Sequence, residues 1–396
     1  MGGGKETPSM FSNRPRARDV GIQIGDLLSP GPLNAITDVP RIKVGMAEKF
    51  LGDVSSPDEE ERKKIVRAGV TLIGTDDVGQ LPLFAGVATL QGTGELTGCH
   101  LIREWGQLYS SYIAITGTSQ LGAAYAGLTE LEPFKLQLPV VGETYDRMTH
   151  PLAPDPIGLA DVREALANMT TGKLREGNVG GGAAMVSFGL KGGTGTSSRL
   201  VPRADGKQYV VGAIVQANHG SPYDLTISGV HVGKILADEG YTAPWFPTHD
   251  GKVQQPKDGD GSIIVVIATD APLLPHQCSA VARRAGVGIS RGGGGVSVFS
   301  GDIFLCFSTA TPLTPPQPPR YEQRIEPVST YNVEAVHSET LDVLFRAAAD
   351  ATEEAALNAL FAAEEMEGYT GRKWRSLPVE RVKEILKEAG RIPKKL

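Results

Sequence analysis

Short apolar blocks alternate with turn-forming residues along most of this chain, and one block stands apart. Val70-Thr71-Leu72-Ile73-Gly74, Ser111-Tyr112-Ile113-Ala114-Ile115-Thr116 and Tyr209-Val210-Val211-Gly212-Ala213-Ile214-Val215 are rich in β-branched residues and predict strands. Between Pro156 and Leu166, the residues Leu159, Val162, Ala165 and Leu166 form the stripe of an amphipathic helix. The block that stands apart runs from Ile263 to Ala268 without a polar interruption, as expected of a strand buried on both faces. Residues 240–261 before it lack periodicity, are crowded with Gly, Pro, Asp and Lys, and read as a loop or linker.

Beyond the apolar run, a helix is expected at about 275–285. Val296-Ser297-Val298-Phe299 reads as a strand leading into Ile303-Phe304-Leu305-Cys306-Phe307. Residues 310–320 are proline-rich and predict a stiff connector. Leu341, Leu344, Phe345 and Ala348 mark a helix, which Leu357, Leu360 and Phe361 either continue or follow with a second. Residues 1–31 are polar and suggest an extended arm; the last dozen residues suggest a frayed end. Strands apolar throughout, mixed with helices, imply an α/β chain whose sheet is covered on both faces.

The edge of the apolar run puts Ser262 at the first position of its strand. One reading is a serine capping a turn. The other is a nucleophile released when the Gly261–Ser262 bond cuts itself. Serine is a poor nucleophile alone, but a serine bearing its own α-amine carries a base with it. That amine has a pKa of roughly 7.7–8.0 and is partly neutral near pH 7. Gly261 leaves the approach to its carbonyl open. Spacing alone leaves both readings standing.

Residues 259–277, with Ala282-Arg283-Arg284-Ala285-Gly286-Val287-Gly288-Ile289-Ser290-Arg291, resemble the start of the smaller chain in the L-aminopeptidase/D-esterase (DmpA) family. That family includes the β-peptidyl aminopeptidases and resembles the N-terminal-nucleophile hydrolases. Asn34-Ala35-Ile36-Thr37-Asp38-Val39, Gly177-Asn178-Val179-Gly180-Gly181-Gly182, Lys191-Gly192-Gly193-Thr194-Gly195-Thr196, Val215-Gln216-Ala217-Asn218-His219-Gly220 and Ser300-Gly301-Asp302-Ile303-Phe304-Leu305 also resemble family segments, in the family's order. The resemblance implies an αββα sandwich cut into two chains, 32–261 and 262–396, behind the arm 1–31. It implies a serine aminopeptidase, amidase or esterase acting through an acyl-enzyme on Ser262. Small peptides, amides or esters would be substrates, no cofactor or metal would be needed, and processed units would form a homo-oligomer.

Asn218 could donate its amide to an oxyanion or simply bond its own turn; the resemblance implies the former. Tyr145, in Gly142-Glu143-Thr144-Tyr145-Asp146, matches a family position that contacts the reacting carbonyl. Ser300 and Asp302 lie two apart and share a face on a strand, where they could orient the Ser262 hydroxyl and hold its ammonium. The family usually has Glu where this chain has the shorter Asp302. Thr116 to Gly122 and Met46 also depart from the family pattern, at positions that would shape the pocket. Two other functions remain: an acyltransferase resembling the ornithine acetyltransferases, whose nucleophile is threonine, or an unprocessed binding relative without activity.

Composition narrows the rest. Of 396 residues, 40% are apolar and 21% charged, as in ordinary globular proteins. A net charge of -6 and scattered basic runs argue against nucleic-acid binding. No apolar run reaches membrane-spanning length, and no signal-peptide pattern opens the chain, so a cytoplasmic location is expected. Three cysteines give no disulfide framework and no CxxC, and seven dispersed histidines give no metal motif. Gly288-Ile289-Ser290-Arg291-Gly292 satisfies GxSxG, but a helical stretch precedes it and glycines follow, the reverse of a nucleophile elbow.

Overall fold

The computed structural model describes residues 14–75, 81–110, 112–131, 138–146, 149, 156–242, 246–247, 253–254, 261–310, 312–313 and 328–393. The proline-rich connector lies almost wholly outside these residues, as does most of the segment before Gly261.

In chain order the first half contains β1 (Ile42–Leu51), α1 (Glu59–Arg62), β2 (Val66–Thr75), β3 (Leu83–Gly92), α2 (Cys99–Trp105), β4 (Gln107–Leu108), β5 (Tyr112–Gly117), α3 (Leu121–Leu131), β6 (Val140–Thr144) and α4 (Leu159–Ala167). After these come β7 (Val186–Ser187), β8 (Leu190–Lys191), β9 (Gly193–Pro202), β10 (Gln208–Asn218), α5 (Val232–Asp238) and the short pair β11 (Phe246–Pro247) and β12 (Val253–Gln254). The chain finishes with β13 (Ser262–Thr269), α6 (Pro275–Arg291), β14 (Gly301–Ser308), α7 (Asp342–Ala362) and α8 (Val379–Glu388), besides two minor strands.

Two sheets stack. One has the order β1-β2-β5-β6, the other β4-β3-β14-β13-β10-β9. Most neighbours are antiparallel, but β5/β6 and β13/β14 are parallel. Each parallel pair needs a crossover, supplied by α3 and α6. Strand alternation sorts the side chains of β13 into two cores. Ile264, Val266 and Ala268 join Ile214, Leu305, Phe307, Ile73 and Ile115 between the sheets. Ile263, Val265 and Ile267 join Phe304, Cys306 and Val215 under α6 and α7. On the far side, α3 and α4 cover Val70, Leu72, Ala114 and Val141. The layering is αββα.

Each fully buried Val or Ile stabilises the fold by roughly 1.5–3 kcal/mol. The whole of β13 is buried, so its position does not depend on the loop that precedes it. The stripe Cys278, Val281, Ala282, Ala285 and Ile289 seats α6. Its start is fixed by Pro275 in the first turn and by Gln277, whose side chain accepts the Leu274 N–H at 2.9 Å.

Three local expectations change. Val296, Val298 and Phe299 are not a strand; they sit exposed in the loop before β14, whose pairing begins only at Gly301. The end of the chain is not frayed up to Pro393: α8 buries Val379, Val382, Ile385 and Leu386, and Ile392 is buried after it. That stripe has helical spacing, and its contacts with Ile22, Phe361 and Leu236 hold it down. In the segment expected as an arm, residues 14–31, Ala17, Val20, Ile22 and Ile24 pack into the same cluster. The alternatives for α7 resolve into one helix.

Candidate active site

Ser262 is the first residue of β13 and only 4% exposed. Antiparallel pairing sets it directly opposite Asn218, the last residue of β10. Opposed residues project to one face with Cβ atoms about 4.5–5.5 Å apart. The serine hydroxyl and the asparagine amide therefore share the face between the sheets. The amide is held in one orientation, because the Val186 N–H donates to Asn218 Oδ1 at 2.8 Å. Its Nδ2 is buried and has no partner among the described residues. A buried unpaired donor costs about 1–3 kcal/mol, which is offset when an oxygen arrives.

On the other side of β13, Gly301 stands beside Ser262 in parallel register. Its N–H donates to the Gly261 carbonyl oxygen at 3.2 Å, polarising the bond just before the serine. Neither glycine has room for a side chain. A methyl group on Gly301 would lie 2.6 Å from the Thr93 carbonyl oxygen, and one on Gly261 would lie 2.6 Å from that of Asn218.

Ser300 and Asp302 form the pair expected from their spacing. The Ser300 hydroxyl donates to Asp302 Oδ1 at 2.5 Å, and both residues are buried. Asp302 Oδ2 has no partner among the described residues. Burial pushes this carboxyl up to about 6, against the downward pull of the Ser300 hydrogen bond. The register adds a detail that spacing could not supply. Asp302 pairs with Ile263 and thus projects towards the helices with Phe304, away from the face carrying the Ser262 hydroxyl. The main-chain nitrogen of Ser262 lies in the sheet between the two faces.

The facing sheet contributes the ends of β5 and β6. Tyr145 follows β6 and is 45% exposed at the rim. Glu143, two residues earlier, is buried, and its pKa is raised by that burial. It accepts the Glu95 N–H at 2.8 Å and the Thr118 hydroxyl. A methyl placed on Gly94 would lie 3.2 Å from Glu143 Oε1 and 3.1 Å from Gly301 Cα, so this carboxylate approaches the backbone beside the serine. Ser119 donates to Asp146 Oδ2. Thr118 and Ser119 belong to the stretch that departs from the family pattern, and here they hold the two acids flanking Tyr145. Sequence pattern alone does not single out Glu143. Its signal is a charge at the end of the apolar strand Val140-Val141-Gly142.

His219 adjoins Asn218 but is fully buried against the edge of Phe188; burial lowers its pKa to about 4, so it is neutral near pH 7. Ser290 of the GxSxG sequence lies in α6 and donates to the Gly286 carbonyl at 2.7 Å. Cys306 is a core residue of β14, and His276 is exposed at the start of α6. Among the described residues, no group of three or more His, Cys, Asp or Glu is placed to hold a metal ion, and no helix is long and apolar enough to cross a membrane.

Peptidase family S58 matches residues 34–374. The β-peptidyl aminopeptidase BapA of Sphingosinicella xenopeptidilytica is 38% identical over 384 residues, covering 94% of this chain and 91% of that protein. A β-aminopeptidase from a Burkholderia species superposes with a TM-score of 0.82 at 39% identity, over 96% of this chain and all of the other. An L-aminopeptidase D-Ala-esterase/amidase from Ochrobactrum anthropi, described as a prototype for the serine aminopeptidases and a variant of the Ntn hydrolase fold, superposes with a TM-score of 0.81 at 38% identity, over 96% and 100% of the two chains. The two stacked sheets are thus those of an Ntn hydrolase, and the chain belongs to peptidase family S58.

Proposed function

We propose that this peptidase is a self-processing N-terminal-serine aminopeptidase, also able to act on amides and esters. The observation that carries the reading is the pairing of Ser262, at the head of a buried strand, with an asparagine whose Nδ2 has no partner among the described residues. The names of the relatives support the substrate class: free amino ends, including those of β-residues.

Maturation would start with attack of the Ser262 hydroxyl on the Gly261 carbonyl carbon. The developing oxyanion is met by the Gly301 N–H, which already rests on that oxygen. Breaking the C–N bond leaves an ester on Ser262 and a free α-amine. Water then hydrolyses the ester, giving Gly261 its carboxylate. In the mature enzyme the α-amine takes the proton as the hydroxyl attacks the substrate carbonyl. Asn218 Nδ2 stabilises the oxyanion, and the acyl-enzyme on Ser262 is resolved by water. Ser300 and Asp302 act on the amine from the helix side of the sheet. Glu143 suits the free ammonium of the substrate, and Tyr145 sits at the rim where the reacting group enters. The unit is expected to work as a homo-oligomer, without a cofactor.

Denaturing electrophoresis with amino-terminal sequencing tests this. Two fragments separated at Gly261–Ser262, together with aminoacyl p-nitroanilide hydrolysis, are expected, and both vanish in Ser262→Ala. One full-length band that still hydrolyses the substrate would sink the mechanism. A full-length inactive band would favour the binding relative. Efficient transfer of the acyl group to an added amine in place of water would favour the acyltransferase.

A further inference from the structure

Lys191, in β8, is fully buried, yet no ion pair neutralises it among the described residues. Its ammonium donates to three carbonyls: Met185 at 2.7 Å, Gly192 at 2.9 Å and Gly182 at 3.3 Å. Burying an unpaired charge costs several kcal/mol, and an apolar side chain would fill the space more cheaply. Burial pushes its pKa well below that of an ordinary lysine. Three acceptors nevertheless match the three N–H groups of the charged form, whereas a neutral amine would turn a lone pair towards one of them.

The best of these bonds leads into the site. The carbonyl that accepts from Lys191 belongs to the Met185–Val186 peptide, and the N–H of that same peptide donates to Asn218 Oδ1. A cation on the carbonyl withdraws electrons and makes the N–H a stronger donor. That donor in turn withdraws electrons from the Asn218 amide and strengthens its Nδ2. Hydrogen bonds in such a chain reinforce one another by about 10–30% each. We propose that Lys191 is a positioning residue that acts through Asn218, with its charge relayed across two amide groups to the donor facing the reacting carbonyl. The inference rests on the reading of Asn218 as the oxyanion donor.

The rival role is structural, a post that ties down the glycine-rich turn at residues 180–185. A double-mutant cycle separates the two. Lys191→Met and Asn218→Ala, singly and together, are assayed for kcat and KM on an aminoacyl p-nitroanilide, per mature active site. The rate of Gly261–Ser262 cleavage, followed by intact mass, is the readout for any variant that matures slowly. Lys191→Met is expected to lower kcat about tenfold with KM nearly unchanged, a fraction of the ~10²–10³ for the donor itself. In the Asn218→Ala background the same change should cost nothing further. Lys191→Gln, which keeps an N–H but not the charge, should behave like Lys191→Met.

Equal losses in both backgrounds, no loss, or failure of both Lys191 variants to fold would overturn the proposal. If Asn218→Ala is slow while Lys191→Met is normal, only the relay falls. If Asn218→Ala leaves kcat intact, the oxyanion reading falls and the relay with it.

Discussion

Two parallel strand pairs face each other across the sandwich, and they meet the site with opposite ends. The pair β13/β14, linked by α6, presents its amino ends: Ser262 and, beside it, Ser300-Gly301-Asp302. The pair β5/β6, linked by α3, presents its carboxyl ends: Thr118 and Ser119 after one strand, Glu143, Tyr145 and Asp146 at the other. An amino end can place a new α-amine on a rigid strand, which no other part of a sheet provides. Carboxyl ends run into loops, where side chains vary with little cost to the core. On the proposed reading, the difference assigns bond-making to one pair and substrate choice to the other.

That division can be tested by how kcat and KM separate. The largest effect is expected at the end of β10, which lies against the bond-making pair: Asn218→Ala should lower kcat by roughly 10²–10³ with little change in KM. Steady-state kinetics on mature protein checks it, and a loss confined to KM would erase the distinction between the pairs.

Next comes a pH effect in the uncut chain. Asp302 has a folded pKa raised from 3.8 to about 6 by burial. A raised carboxyl value means the folded state holds the proton more tightly. Stability is therefore fully present below pH 3.8 and falls as pH climbs through about 6, by about 3 kcal/mol at 1.36 kcal/mol per unit. Ser262→Ala, expected to stay uncut, should lose roughly that much more than its Asp302→Asn double variant in denaturant titrations between pH 4 and pH 7. The part that remains in the double variant belongs to other buried carboxyls such as Glu143. The mature protein, with an ammonium near the carboxylate, should lose less. An uncut chain whose stability ignores Asp302 would remove the carboxylate from the amine's surroundings.

The smallest effect belongs to recognition. Glu143→Gln should raise KM about tenfold for substrates with a free amino group and leave kcat within about twofold, in line with one charge-assisted hydrogen bond of ~1.5–3 kcal/mol. An equal fall in kcat would mean that this carboxylate belongs to the chemistry after all.

Legibility in the sequence followed the same division. The unbroken run from Ile263 to Ala268 marks a strand buried on both faces, and its polar-to-apolar edge marks Ser262. The spacing of two also brings Ser300 within hydrogen-bond reach of Asp302, although Ser300 ends the loop before β14 and only Asp302 lies in the strand. What it could not convey was which face they take, since that depends on the register with β13, a contact between residues some forty apart. Glu143 escaped because one acid at a strand end looks like an ordinary solvated terminus until Glu95 and Thr118 close over it. Lys191 escaped for a related reason: its three carbonyl partners are main-chain atoms, and the sequence does not write those down. The loop 296–300 was misread since its apolar side chains carry strand propensity without a strand to pair with. The stripe in α8 was overlooked beside so many terminal charges.

The order β4-β3-β14-β13-β10-β9 has a consequence for what a cut at Ser262 would leave behind. The two strands of the later piece lie in the middle of the sheet, with strands of the earlier piece on either flank. Such pieces would be interleaved rather than docked, and pulling them apart would mean tearing down the core. Dilution would not separate them, and the pair would have no ordinary dissociation constant. Once denatured, though, two separate chains would have to meet again before folding, where one had sufficed before. The mature form would then owe its persistence to slow unfolding and not to an equilibrium it could re-enter.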